Sequence, residues 1–307
     1  MANALVTMLP VEFTDKAMKT ILADEILSKG SLMLLDPSHP VAPWPAGVPS
    51  NNDRLQNIAD ISASRIVTGE IRPSFQWEAN MAAGSFIERT KKAGLRVGVS
   101  AGQTTLSGAN IVMPDPILQY MLNNQSHEFY FSMWSYVTRT AEYTQTDEPH
   151  MHIYRSLQPN GYPRGGVVSI SAQGNWERPT GDDQTGRFAS STNSVGAQFR
   201  NIAGHISGKR NDAGDPLTIV DFAQNKHKAL VSLGPANDES LYTAANSVSP
   251  GVGRLLQSWN FYRVYIEDLT VSGRTYDDVS AIDRALYTKE VLNTGGRYAN
   301  DEWTANP

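Results

Sequence analysis

The sequence predicts an all-β protein, a sandwich or jelly roll built as one large domain with short helical additions. Strand-like stretches follow one another at short intervals and are separated by turn-forming residues. Only 19% of the residues are charged, and 24 Gly and 17 Pro are present, which is typical of a strand-and-loop protein. The 307 residues suffice for one such domain with additions, and no break in composition marks a second.

Charge and residue usage exclude several classes of function. The formal net charge is −5 without a basic block, so we expect neither nucleic acid nor an anionic membrane as a partner. The absence of cysteine excludes disulfides, thiolate metal sites and a cysteine nucleophile. No apolar run approaches the roughly 20 residues of a membrane span, and the N-terminus lacks the features of a signal peptide.

Residues 1–50 are predicted to form an N-terminal arm and a linker. Residues 14–29 have the pattern of an amphipathic helix, with an apolar stripe formed by Met18, Ile21, Leu22 and Ile26. This stripe must rest either on the protein's own core or on a neighbouring subunit. We favour the neighbouring subunit, because an arm before a compact domain commonly makes contacts in an assembly.

A short apolar strand is predicted at Ser31–Asp36, and a proline-rich linker follows it. Five prolines lie between positions 37 and 49, so we expect an extended segment without regular structure. Trp44 stands between two of these prolines. It is a candidate anchor for a groove on a partner, and the alternative is that it packs on its own domain.

Residues 51–292 are predicted to form the β-sandwich, with His127–Thr140 as one of its central strands. Bulky residues occupy both faces of this strand, which is typical of a strand packed on both sides. One predicted face carries Phe129, Phe131, Met133, Ser135 and Val137, and the other carries Tyr130, Ser132, Trp134 and Tyr136. The remaining pattern predicts a short helix at 115–123 and does not distinguish helix from strand at 54–70. It also predicts strands near 95–99, 108–114, 150–157, 167–173, 198–206, 217–222, 227–233 and 241–245.

The last predicted strand, Trp259–Val271, is also expected at the centre of a sheet. Its alternation places Tyr262, Val264 and Ile266 on one face, and Trp259, Phe261, Arg263 and Tyr265 on the other. The adjacent Glu267 and Asp268 are predicted to form a structural ion pair or a cap, with Arg263, Arg274 and Arg284 near in sequence.

A C-terminal helix is predicted to begin at Thr275, where Asp278 completes a capping box. Its apolar stripe is Val279, Ile282 and Leu286. The helix is expected to stop before the glycine pair at 295–296, and a polar tail then covers residues 293–307.

Candidate sites for chemistry are few. His150 and His152 share one face of a predicted strand and could bind a metal, or they form an exposed or hydrogen-bonded pair. Asp182 and Asp183 lie in a polar loop and form either a calcium site or a solvated turn. No P-loop and no H-E-x-x-H motif occurs, so we assign no catalytic, cofactor or metal residue and expect no enzyme.

Three aromatic residues fall in predicted loops or in the tail. Trp176, Tyr162 and Trp303 are not obvious core residues. Rings in such places stack on sugars or dock on a partner protein, and simple local packing is the alternative.

Two segments, HEFYFSMWSYVTRT and NFYRVYIEDLTVSGRTYDDVSAIDRALY, resemble strands of concanavalin A-like (laminin G-like) jelly-roll domains. This likeness covers residues 107–140 and 217–292. The N-terminal arm, the SLMLLD strand and the Pro/Trp-rich linker resemble structural proteins of tailed bacteriophages. Calcium ligands and sugar-binding residues of the family have no matching positions here, so none is assigned.

The resemblance implies a virion component that is assembled in the host cytoplasm: a head decoration, tail-sheath or tail-appendage protein. Its partners would be other copies of itself, as a homo-oligomer, and other virion proteins. The arm, the linker with Trp44 and the tail with Trp303 would then make the contacts between subunits. One alternative is a lectin-like module that reads a host glycan with Trp176 and Tyr162. A second alternative is a polysaccharide-degrading enzyme, because paired carboxylates need not be close in sequence.

Overall fold

The computed structural model describes residues 24–79, 84–100, 108–140, 149–155, 165–171, 194–206, 218–222, 228–233 and 258–307. Within these residues the chain forms two antiparallel sheets and a few short helices, which confirms the predicted β-rich fold. The strands are β1 (Ser31–Leu35), β2 (Ser74–Ala79), β3 (Phe86–Arg89), β4 (Leu95–Gly98), β5 (Gly108–Val112), β6 (Glu128–Arg139), β7 (Pro149–Arg155), β8 (Gly165–Ser171), β9 (Gly196–His205), β10 (Ala229–Leu233) and β11 (Ser258–Asp268).

Strand β11 is the centre of the larger sheet. In the order β3-β4-β11-β6-β9, β6 pairs along one side of β11, while β4 and β1 share its other side. The smaller sheet has the order β2-β5-β10-β7-β8. The chain passes repeatedly from one sheet to the other, since β1, β3, β4, β6, β9 and β11 belong to the larger sheet and the strands between them to the smaller.

The two sheets enclose an inter-sheet core. Its buried residues come from both sheets, for example Phe75 and Ile111 from the smaller sheet and Phe131 and Val264 from the larger. A second apolar cluster covers the opposite face of the larger sheet, which we call the outer face. The larger sheet is therefore buried on both sides, which explains why β6 and β11 carry bulky residues on both faces.

Strand β6 has the predicted faces. Phe129, Phe131 and Met133 enter the inter-sheet core, whereas Tyr130 and Trp134 lie on the outer face. Regular pairing with β9 preserves this alternation along the strand.

Strand β11 departs from the predicted faces because it is bulged. Its register with β6 shifts between Phe261 and Arg263, so Tyr262 and Arg263 both lie on the outer face. Trp259 and Phe261 therefore share the inter-sheet core with Val264 and Ile266, while Tyr262 and Tyr265 belong to the outer cluster. The face assignment that the sequence predicted is wrong on this point, because strict alternation does not hold across a bulge.

The helices are α1 (Asp60–Ile66), α2 (Asp115–Asn123), α3 (Leu269–Ser272) and α4 (Tyr276–Tyr287). The capping box of Thr275 and Asp278 is present. Val279 and Leu286 are buried against the outer face, and Ile282 packs beside them. A π-helical turn, Thr288–Leu292, extends α4, and the chain turns away at Gly295, whose φ is +93°. The predicted helix and its stop are confirmed.

Three predicted elements are corrected. The last strand ends at Asp268 rather than at Val271, because Asp268 caps the helical turn Leu269–Ser272. Residues 24–29 form turns rather than the end of a helix, because the Asp24 carboxylate accepts the Ile26 N–H and the Ser28 hydroxyl accepts the Gly30 N–H. Ile219–Phe222 is a 3₁₀ turn rather than a strand, an ambiguity that short apolar runs leave open.

Candidate functional site

The outer face of the larger sheet is where the two ends of the described chain meet. Arg263, near the middle of β11, is 1% exposed. Its guanidinium donates two hydrogen bonds to the Asp24 carboxylate, both of 2.9 Å, and lies 4.5 Å from the centre of the Trp134 ring. A bidentate pair of this kind fixes both the distance and the direction of the bound segment, so the chain is fastened to the sheet at Asp24.

Asp36 fastens the C-terminal side in the same way. Arg297 donates to both of its carboxylate oxygens, at 3.0 and 2.8 Å, and the Tyr298 hydroxyl donates to it at 2.7 Å. One guanidinium nitrogen of Arg263 lies 3.6 Å from the same carboxylate. We call Asp24, Asp36, Arg263, Arg297 and Tyr298 the terminal clamp.

The charges of the clamp stabilise one another. Burial would raise the pKa of Asp24, but the Arg263 guanidinium and hydrogen bonds from Arg263 and His39 hold that pKa well below its usual range. Burial would lower the pKa of Arg263, and the Asp24 carboxylate raises it instead. Both groups therefore stay ionised in the fold.

Beside the clamp, Asp283 of α4 points into the sheet and is fully buried. It accepts hydrogen bonds of 2.9 Å from the Tyr130 hydroxyl and from the Trp134 indole N–H. Burial raises the pKa of Asp283. This network joins α4 to the outer face through polar contacts as well as through the apolar stripe.

Glu267 and Asp268 have the predicted structural roles. Glu267 pairs with Arg274 and accepts hydrogen bonds from Ser28 and Tyr265. Asp268 caps α3 by accepting the Val271 N–H at 2.9 Å. These contacts attach residues 26–30 to the end of β11, next to the terminal clamp.

Asp268 also orients a histidine. His127 Nδ1 and the Tyr120 hydroxyl each lie 2.7 Å from the same Asp268 oxygen, to which both donate. Burial and the Asp268 carboxylate raise the pKa of Tyr120, so its hydroxyl remains a donor. Tyr120 also lines an open groove of about 440 Å³ between α2 and the end of α1. Since Asp268 is committed to the helix cap, we interpret this cluster as structural.

A further motif lies at the end of β4. The stretch Gly98-Val99-Ser100-Ala101-Gly102 has the G-x-S-x-G spacing of a nucleophile elbow. The prediction that the chain has no catalytic residue did not take this motif into account. The Val99 N–H bonds the Ser258 hydroxyl at the start of β11, whereas the His127–Asp268 pair lies at its far end. At a rise of about 3.3 Å per residue, these positions are roughly 30 Å apart. Ser100 therefore cannot form a catalytic triad with that pair.

Among the described residues, no three His, Asp or Glu side chains are grouped as a metal ion would require. The backbone of His150 and His152 lies in β7 as predicted, and Asp182 and Asp183 lie outside the described residues. None of the helices in the described ranges is long and apolar enough to cross a membrane.

Of the residues predicted to bind a partner, some are buried within the protein itself and others lie outside the described residues. Trp44 is 4% exposed and stacks on Phe261, with ring centres 6.1 Å apart. A buried ring does not fit the predicted anchor on a partner; it fits the alternative of packing on its own domain. Ile26 is likewise buried in the protein's own outer cluster. The other arm residues, Met18, Ile21 and Leu22, and the candidate glycan-binding residues Trp176 and Tyr162 lie outside the described residues.

Trp303 lies on the protein's own sheet. Its ring contacts Tyr136 at 5.0 Å, and the Arg96 guanidinium lies 5.8 Å from its centre. The tail that the sequence predicts to be polar is thus folded back over the outer face. No sequence signal marked the terminal clamp as a unit, although Arg263 within an apolar strand is a charge that needs a buried partner.

Comparison of the chain with protein-family models, with curated proteins and with solved structures finds no match.

Proposed function

We propose that this chain is a structural component of a bacteriophage virion that acts by assembling with other copies of itself through its N-terminal arm. The resemblance of its N-terminal arm, its SLMLLD strand and its Pro/Trp-rich linker to phage structural proteins supports the virion context. Two antiparallel sheets between which the chain passes repeatedly are compatible with a concanavalin A-like jelly roll, which is the finer fold we propose.

The observation that carries the proposal is the attachment of the arm at Asp24. A segment that merely trails from a domain needs no fixed attachment, but Asp24 is held by two charge-assisted hydrogen bonds to the buried Arg263. The apolar stripe of Met18, Ile21 and Leu22 ends two residues before this anchor. The attachment fixes the point at which the predicted arm leaves the domain, and it thereby limits the region of a neighbouring copy that the stripe can reach.

Deletion of residues 1–22 is expected to lower the number of copies per particle, because it removes the stripe and leaves Asp24 in place. The molar mass of the full chain and of the variant is measured by size-exclusion chromatography with light scattering. The deletion must stop there, since Asp24, Ser28 and Gly30 all bond the sheet. A larger deletion would confuse loss of assembly with loss of the fold.

The matched control is deletion of residues 1–12, which retains the predicted stripe and should retain the assembly. Near-ultraviolet circular dichroism verifies that both variants keep their packed aromatic residues. The proposal fails if the full chain is a monomer. It also fails if the variant that lacks residues 1–22 contains as many copies per particle as the full chain.

A further inference from the structure

The last residues of the chain form an extended strap over the outer face. We define the C-terminal strap as residues 301–307. It begins after Asn300, whose φ is +55°, and it bonds residues of β3, β4 and β6 without adding a strand to the sheet. A non-glycine residue in the left-handed region marks a sharp change of chain direction, which separates the strap from the clamped residues before it.

Specific side-chain bonds hold the strap. The Thr304 N–H and hydroxyl donate to the two oxygens of Glu88, at 2.9 and 2.7 Å. Asn306 accepts a 2.7 Å bond from the Arg96 guanidinium and donates a 2.9 Å bond to the Thr138 carbonyl. Arg139 donates to the carbonyl of Pro307 at 3.0 Å. The surface beneath the strap therefore recognises the identity of its residues and not only an extended backbone.

One aromatic residue provides the apolar part of this contact. Trp303 packs on Tyr136, and the Arg96 guanidinium lies between the rings of Trp303 and Phe86, at 5.8 and 5.7 Å. A guanidinium stacked on an aromatic ring contributes about 0.5–2 kcal/mol, depending on its exposure to water. Trp303 is thus the main anchor of the strap.

Release of the strap costs little compared with release of the terminal clamp. Several of its polar partners face solvent: Lys91 and Glu302, which pair at its start, are 70% and 67% exposed, and Glu88 is 26% exposed, whereas Arg96 is buried. Water satisfies such groups when the strap leaves, so each bond contributes little net stability. Asp36, in contrast, is completely buried. The chain can therefore free residues 301–307 while Tyr298 stays in place.

We propose that the surface beneath the strap is a binding site for an extended peptide, and that residues 301–307 of a second copy occupy it in an assembly. The strap of the same chain fills the site in this structure. Exchange of identical segments preserves every contact and links two copies at low cost. The choice of a second copy as the occupant rests on the proposed function, whereas the peptide site itself does not.

The peptide site is tested in the full chain with a fluorescent peptide of residues 300–307. Trp303→Ala weakens the chain's own strap, so this variant should bind the peptide at least about tenfold more tightly than the wild-type chain, a change that corresponds to about 1.4 kcal/mol. The control peptide, which carries Ala in place of Trp303, should lose about tenfold in affinity for the same variant. Fluorescence anisotropy reports both values.

A chain lacking residues 302–307 is the second variant, with thermal unfolding and near-ultraviolet circular dichroism to verify its fold. Equally weak peptide binding by the wild-type chain and by both variants overturns the proposed site. The occupant is tested by mixing this shortened chain with a tagged chain that retains residues 302–307. Residues 1–22 are deleted from both, so that the arm does not contribute. Capture of the shortened chain by the tagged chain supports exchange of the strap between copies. If the peptide binds but the shortened chain is not captured, the proposal that a second copy occupies the site is wrong.

Discussion

Replacement of Arg263 by Met is expected to destabilise the protein by about 3–5 kcal/mol, the usual cost of removing one partner from a buried ion pair. Met retains much of the apolar stem of Arg263 but none of its charge. The Asp24 carboxylate then loses both of its guanidinium bonds, and the Asp36 carboxylate loses a positive charge 3.6 Å away. The Asp24 carboxylate would remain buried without its main compensating charge, whereas Asp36 would keep its pair with Arg297.

Urea unfolding followed by circular dichroism measures this loss. The matched control is Arg72→Met, which breaks an ion pair with Glu70 in which the two side chains are 49% and 36% exposed. That change should cost less than about 1 kcal/mol. The double variant Arg263→Met with Asp24→Leu should recover part of the loss, because it leaves one unpaired carboxylate fewer. Equal effects of Arg263→Met and Arg72→Met would show that the clamp adds no stability.

Replacement of Asp36 by Ala is expected to cost a similar amount, about 3–5 kcal/mol. The change removes the acceptor of both Arg297 bonds and of the Tyr298 hydroxyl bond. Tyr298 is 2% exposed, and its ring stacks on Tyr262 with centres 4.2 Å apart. The Tyr298 hydroxyl then has only the Tyr262 carbonyl, 3.0 Å away, as an acceptor, and the Arg297 guanidinium loses its buried partner. Both losses disturb the packing that holds the C-terminal segment.

Asp277→Ala is the control for this prediction. Asp277 is exposed in the first turn of α4, so its loss should cost less than about 1 kcal/mol through the helix dipole. Hydrogen exchange adds a local measurement, because Asp36→Ala should increase exchange in residues 288–300 more than in β6. Unchanged stability and unchanged exchange in those residues would contradict the role we assign to Asp36.

The parts of the fold that depend on local pattern were predictable from the sequence. The alternation in β6 and the capping box of α4 are read from residues a few positions apart, and the structure contains both. The ion-pair or capping role of Glu267 and Asp268 was also predictable, because Arg274 lies seven positions from Glu267. Local sequence constrains contacts of this kind directly.

The terminal clamp was not predictable, because its partners are distant in sequence. Asp24 and Arg263 are separated by 239 positions, and Asp36 and Arg297 by 261. The sequence shows a charge in an apolar strand but not which distant residue neutralises it. The bulge in β11 was missed for a different reason, since one extra residue reverses the alternation without changing the composition of the strand. The sequence left two alternatives for Trp44, because flanking prolines indicate an extended backbone and not the direction of a ring.

The arm as a link between copies is tested most directly by chemical cross-linking of isotopically light and heavy protein mixed before assembly. Lys16 and Lys19 lie in the predicted arm helix, beside the stripe of Met18, Ile21 and Leu22. If the arm joins copies, cross-links from these lysines should connect light with heavy chains, and mass spectrometry identifies such pairs. Cross-links from Lys16 and Lys19 that join only residues of the same isotopic label would contradict assembly through the arm.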